Sequence, residues 1–196
     1  TTRDAPRAMV IATEVDPDGD ISEKVILPQA ADVLQGVSVL GERLVANYLH
    51  EANTAIKVFS LDGDFEYDLE LPTLGSAGGF SGKEDKKDGF FRFSSFTYPP
   101  TIFRIDYETG QTSVFRSPEV DFDPAAFAVE QKWYTSKDGT KVPMFIVRRA
   151  DAEADFKNPT LLYGYGGFNI SLTPSFSPGN LQWVEMGGVY AVANLR

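Results

Sequence analysis

Apolar and polar residues alternate in short runs through the first 118 positions, and turn residues interrupt the runs at nearly regular intervals. Period-two alternation bounded by Gly, Asp and Pro predicts strands. Residues 43–50, 54–60 and 65–71 form one group of three such runs, and residues 90–96, 101–107 and 112–116 form the next. Hairpin-like turns recur at "DPDGD" with Gly19, "SLDGD" with Gly63 and "YETGQ" with Gly110; from 19 to 63 is 44 residues and from 63 to 110 is 47. Each turn is followed by a strand-like run that closes on proline, at Pro28, Pro72 and Pro118, with intervals of 44 and 46. Two separate markers therefore keep one period.

A strand-filled period of about 40 to 50 residues points to β-propeller blades, whose sheets bury their faces only by stacking around an axis. Proline at the end of a unit suits an outer edge strand or the crossing to the next blade, where no ladder hydrogen bond is lost. A β-sandwich with coincidental turn spacing is the alternative reading of the same pattern. Two blades and part of a third fit into 118 residues, whereas a closed ring takes about 4 to 8. The chain also starts without methionine and ends at "VANLR", straight after a strand-like run. A segment of a longer polypeptide, with more blades upstream, is the expectation.

After residue 118 the pattern changes. "FAVEQKWYTSKDGTKVPMFIVRR" reads as two strands joined at Asp138-Gly139, a dipeptide suited to a tight hairpin. "DAEADFKN" reads as a polar surface connection, and "PTLLYGYGGF" as a short buried strand that dissolves into glycines. "PGNLQWVEMGG" places Leu181, Val184 and Glu185 at helical spacing before a double glycine suited to ending a helix, and "VYAVANLR" reads as another buried strand. A strand, a glycine-rich loop, a short helix and a strand form the opening of an α/β sheet rather than another blade. The predicted division is residues 1–118 for the propeller blades and 119–196 for the start of an α/β domain. Loops at the carboxyl ends of such strands are where α/β proteins place ligands.

Composition narrows the function classes. Twenty-eight acidic and 18 basic residues give a net charge of -10, which repels nucleic-acid phosphates and anionic lipid. No apolar run approaches the roughly 18 residues of a membrane helix. Cysteine is absent, so disulfides, thiolate nucleophiles and zinc–cysteine clusters are excluded. Acidic pairs such as Glu84-Asp85 and Asp121 with Asp123 read as solvated loop charges rather than a metal site, and His50, inside a blade repeat, as a structural or surface residue.

The chemistry concentrates in "TLLYGYGGFN", residues 160–169. A dinucleotide fingerprint starting at Gly164 would need glycine where Asn169 stands, and no Gly-Lys-Ser or Gly-Lys-Thr follows for a Walker loop. Two readings remain: a structural turn with two packed tyrosines, or an oxyanion turn after an early strand of an α/β-hydrolase, where a tyrosine stands in place of the histidine of an HGGG-type sequence. Glycines let the main chain approach a substrate closely, and a phenol supplies a directional donor toward developing negative charge.

"LLYGYGGFNISLTPSFS" followed by "MGGVYAVANLR", with "WYTSKDGTKVPMFIV" upstream, closely resembles the start of the hydrolase domain in the prolyl oligopeptidase family, serine peptidases with a β-propeller over an α/β-hydrolase. The resemblance covers essentially the whole chain and is strongest from residue 129 onward. It implies that Tyr165 donates its hydroxyl to the oxyanion, that Gly166 and Gly167 bring the backbone to the substrate, and that Phe168 lines the pocket for the proline ring. It also implies short proline-containing peptides as substrates and a propeller that limits their size. No metal or cofactor is implied, and the full-length enzyme would be monomeric, cytoplasmic or, in a bacterium, periplasmic. Relatives that cut after basic residues tend to carry Gly-Ser-Tyr-Gly after the same tyrosine, so Gly-Gly-Phe-Asn at 166–169 favours proline. The rivals are a basic-residue-specific oligopeptidase, a peptide macrocyclase of the same fold, and a non-catalytic propeller binding module.

The triad is not in this sequence. No serine sits in a G-x-S-x-G elbow, Ser81 coming nearest with Lys83 where the second glycine belongs, and His50 is the only histidine. In the family the Ser, Asp and His all lie downstream of the strand that ends this chain.

Overall fold

The computed structural model describes residues 1–152 and 157–195. The sequence repeat resolves into three successive antiparallel units. The first is a hairpin of β1 (Val10–Val15) and β2 (Ile21–Leu27). The second is a four-stranded sheet of β3 (Val33–Leu40), β4 (Arg43–His50), β5 (Asn53–Ser60) and β6 (Phe65–Leu69), paired in chain order. The third repeats that order with β7 (Ser76–Gly82), β8 (Asp88–Ser94), β9 (Thr101–Asp106) and β10 (Thr112–Arg116).

The marker glycines occupy equivalent places. Gly19 turns β1 into β2, Gly63 turns β5 into β6, and Gly110 turns β9 into β10, all at positive φ. In the first two turns the glycine N–H donates to the residue three back, Asp16 or Ser60; the third is one residue longer and bonds Gly110 to Asp106. That extra residue contributes to the wider second interval. By the same register, β1 and β2 match the third and fourth strands of the following sheets. Pro28 and Pro72 fall in the crossings between sheets, as the edge-strand argument requires.

Alternation along the strands explains the stacking. On β4, Leu44, Ala46 and Tyr48 face the hairpin and bury Leu27, while Val45 faces the third unit. There it meets Ile56, Leu69, Phe91, Phe93, Phe103 and Ile105 in the largest core. Stacked or edge-on ring pairs among Phe80, Phe91, Phe93, Tyr98 and Phe103 fill that interface. This face-to-face stacking of four-stranded sheets is propeller architecture.

The remaining described residues build a mixed sheet with a single α-helix. A one-turn 3-10 helix, Pro124–Ala126, leads into β11 (Phe127–Thr135), which forms a hairpin with β12 (Lys141–Arg149) across Gly139, again at positive φ. β13 (Thr160–Tyr165) connects through α1 (Pro178–Glu185) to β14 (Val189–Asn194), and the sheet order is β11-β12-β14-β13 with β13 and β14 parallel. Ser177 caps α1 with its hydroxyl on the Asn180 N–H, Pro178 starts it, and Gly187 at φ 94° ends it. Leu181 and Val184 are buried, as the helical spacing predicts. The connection "DAEADFKN" lies partly, and Arg196 wholly, outside the described residues.

One expectation about burial is overturned. β14 is buried, but β13 is exposed along its whole length, Leu162 at 64%. β13 pairs with β14 on one side only, so within this chain it is an edge strand whose apolar side chains are left uncovered.

The mixed sheet is joined to the blades by blade turns that enter its core. Ala52, in the β4–β5 turn, and Phe96, in the β8–β9 loop, pack with Phe145, Val147, Val184, Tyr190 and Val192. The Phe96 ring centroid lies 5.4 Å from that of Phe145 and 6.1 Å from that of Tyr190.

Candidate active site

The parallel pairing of β13 with β14 brings their carboxyl ends to one edge, where Tyr165 is matched with Asn194. Beyond Tyr165 the chain reverses through Gly166, Gly167, Phe168 and Asn169, and the Ile170 N–H closes the turn on the Gly167 carbonyl at 3.2 Å. Phe168 and Asn169 both lie in the left-handed region, at φ 55° and 54°. For a bulky residue such as Phe that conformation costs on the order of 1–3 kcal/mol and collects at functional sites.

Close approach explains one glycine directly. A Cβ on Gly167 would stand 2.8 Å from the Tyr165 Oη and 3.0 Å from its Cζ, so the phenol rests over the turn only because residue 167 has no side chain. Gly166 lines a cleft of about 260 Å3 together with Ala52, Pro143, Asn169, Ile170 and Asn194. Tyr165 is 39% exposed, and its hydroxyl has no hydrogen-bond partner among the described residues. A phenol that is positioned but unpaired is a donor free to meet an incoming acceptor. Phe168 is 90% exposed, projecting from the turn rather than packing into this chain. Tyr163 shares the face of Tyr165 on β13; burial raises the pKa of Tyr190, and the electrostatic influence of Tyr163 pushes it in the same direction.

His50, Asp123 and Asp85, also singled out by the sequence, have local partners. His50 Nδ1 lies 3.0 Å from each carboxylate oxygen of Asp32, at the exposed end of β4. Asp123 caps the 3-10 turn by accepting the Ala125 N–H at 2.9 Å, and Asp85 pairs with Lys86 at 3.5 Å. Among the described residues no group of three or more His, Cys, Asp or Glu is placed to hold a metal ion. Among the described residues no helix is long and apolar enough to cross a membrane.

Sequence reasoning missed Asn194. It stands at the end of a buried apolar strand, where the change from "VYAVA" to a carboxamide beside the predicted loop was the available signal.

The model of the family described as "Prolyl oligopeptidase, N-terminal beta-propeller domain" matches residues 1–118. The chain belongs to the prolyl oligopeptidase family. A prolyl endopeptidase of that family from Elizabethkingia meningoseptica is 38% identical over 196 residues, covering all of this chain and 28% of the relative. This chain is therefore a little over a quarter of the length of the relatives it matches. A solved prolyl endopeptidase structure, from work assigning inter-domain dynamics a role in catalysis and specificity, is 42% identical with a TM-score of 0.89, over all of this chain and 29% of that one. Prolyl oligopeptidase B from Galerina marginata, bound to a 25mer macrocyclization substrate, is 33% identical with a TM-score of 0.88, over all of this chain and 28% of that one.

Proposed function

We propose that residues 1–196 are part of a serine-type prolyl oligopeptidase, with residues 1–118 forming C-terminal propeller blades and 119–196 the first strands of an α/β-hydrolase peptidase domain. The observation that carries the reading is the unpaired Tyr165 phenol held over Gly167, at the carboxyl end of two parallel strands joined through a helix. That is the position at which an α/β-hydrolase places its oxyanion turn.

In this reading the full-length enzyme hydrolyses short peptides on the carboxyl side of proline. A serine outside residues 1–196 attacks the prolyl carbonyl, and the negative charge that collects on the carbonyl oxygen is met by the Tyr165 hydroxyl. The amine leaves with a proton from the catalytic base, and water then releases the acyl group. Phe168 offers its exposed ring as one wall of the proline pocket, and the propeller restricts entry to short chains. A second outcome has support from the Galerina relative: the same acyl-enzyme attacked by the substrate's own amine would give a cyclic peptide.

Replacing Tyr165 with Phe removes the donor and keeps the ring. In the full-length protein, kcat/KM on a blocked Gly-Pro substrate is expected to fall by roughly 10- to 1000-fold, as for losses of single oxyanion donors. An unchanged rate would retire the assignment.

A further inference from the structure

Asn194 connects the two arms of the glycine turn. Its backbone is the parallel neighbour of Tyr165, where the turn begins. Its side chain reaches the other arm: Oδ1 accepts the Leu172 N–H at 2.8 Å, and Nδ2 donates to the Leu172 carbonyl at 3.2 Å. A carboxamide carries one acceptor and a donor in the spacing of a peptide group. Asn194 thus pairs with residue 172 as a strand neighbour would. Its own carbonyl accepts the Tyr134 hydroxyl at 3.3 Å, which anchors the residue to β11.

The turn needs an external tie. Between the arms, the Ile170 to Gly167 bond spans two consecutive residues in the left-handed region. Beyond Leu172 the exit arm runs onto the third blade, where the Ser76 hydroxyl donates to the Pro174 carbonyl at 2.7 Å and the Phe176 N–H donates to the Ser94 hydroxyl at 3.3 Å. Without the Asn194 pair, the exit arm would take its position from the blade rather than from the sheet that carries Tyr165.

We infer that Asn194 is a positioning residue for the candidate oxyanion turn, fixing the exit arm at Leu172 so that the Tyr165 phenol stays over Gly167. The inference rests on Tyr165 being the donor. The test compares Asn194→Ala, Tyr165→Phe and the double variant in the full-length protein, with kcat and KM measured separately on a blocked Gly-Pro substrate. Asn194→Ala is expected to lower kcat by about 10-fold or more, since small misplacements of a catalytic group carry losses of that order, with KM changed by less than about 3-fold. On the Tyr165→Phe background the further loss is expected to stay within about 2-fold, because the two residues act as a unit. Equal losses on both backgrounds, or a silent Asn194→Ala beside an impaired Tyr165→Phe, would overturn the inference while leaving the donor in place. A silent Tyr165→Phe would instead remove the donor assignment and this inference with it. Asn194→Ser keeps a hydroxyl that both donates and accepts on a shorter arm; it replaces the Ala variant in the same cycle if that one does not fold, with the same outcomes expected and excluded.

Discussion

Gly167 shows how much a single hydrogen atom in place of a side chain can decide. A methyl group there would enter to 2.8 Å from the Tyr165 hydroxyl, so the phenol would have to swing away or the turn would have to open. Gly167→Ala in the full-length enzyme is therefore expected to lower kcat by about 10- to 100-fold, in line with misplacement of a catalytic group by about 1 Å. The melting temperature should move little, because the turn lies at an exposed edge. Steady-state kinetics alongside a thermal melt checks both parts, and a full-rate variant would show that the phenol does not need its place over the turn. Tyr165 and Gly167 were legible in the sequence because chemistry and backbone freedom are both written in residue type. Asn194 was not, since a polar residue closing an apolar strand reads equally well as a strand end, and only the parallel register reveals its neighbour.

Among the elements, the outer strands of each blade were legible and the first ones were not. β4 to β6 and β8 to β10 fall on the apolar runs read from the sequence, and the turns into β6 and β10 carry the marker glycines Gly63 and Gly110. β3 is broken at Gly36 and β7 at Gly78 and Gly79, and both strands shift register there. A glycine bulge removes the side chains that periodicity depends on. The exposure of β13 was missed for another reason: an apolar run predicts a strand that seeks cover, while none of the described residues covers it. The packing between blades also sets a pH dependence. Tyr67 donates to the Tyr107 carbonyl at 2.7 Å between the two full blades, and burial pushes its pKa up to about 12. Because the folded value lies above the ordinary 10, the neutral phenol's contribution is complete below pH 10 and is lost as pH rises toward 12. Burial raises Tyr107 as well. Thermal melts of the full-length protein should show falling stability from pH 10 to 12, with a shallower fall in Tyr67→Phe; equal slopes would show that Tyr67 is not a source of the effect.

For the whole molecule, the main feature is that the blades and the mixed sheet share a core. Phe96 leaves the third blade and packs against Phe145 and Tyr190, and the exit arm of the Tyr165 turn is hydrogen-bonded to the same blade at Ser76 and Ser94. The candidate donor therefore sits on a turn that touches both units, which is the arrangement expected if peptides are processed between a propeller and a hydrolase domain. In the proposed function, residue type at 166–169 separates the outcomes, because Gly-Gly-Phe-Asn would present an aromatic ring for proline. The most direct measurement is the ratio of kcat/KM of the full-length protein on a blocked Gly-Pro substrate to that on a matched arginine substrate. A ratio well above one is expected, and faster cleavage after arginine, or no cleavage of either substrate, would contradict the proposed function.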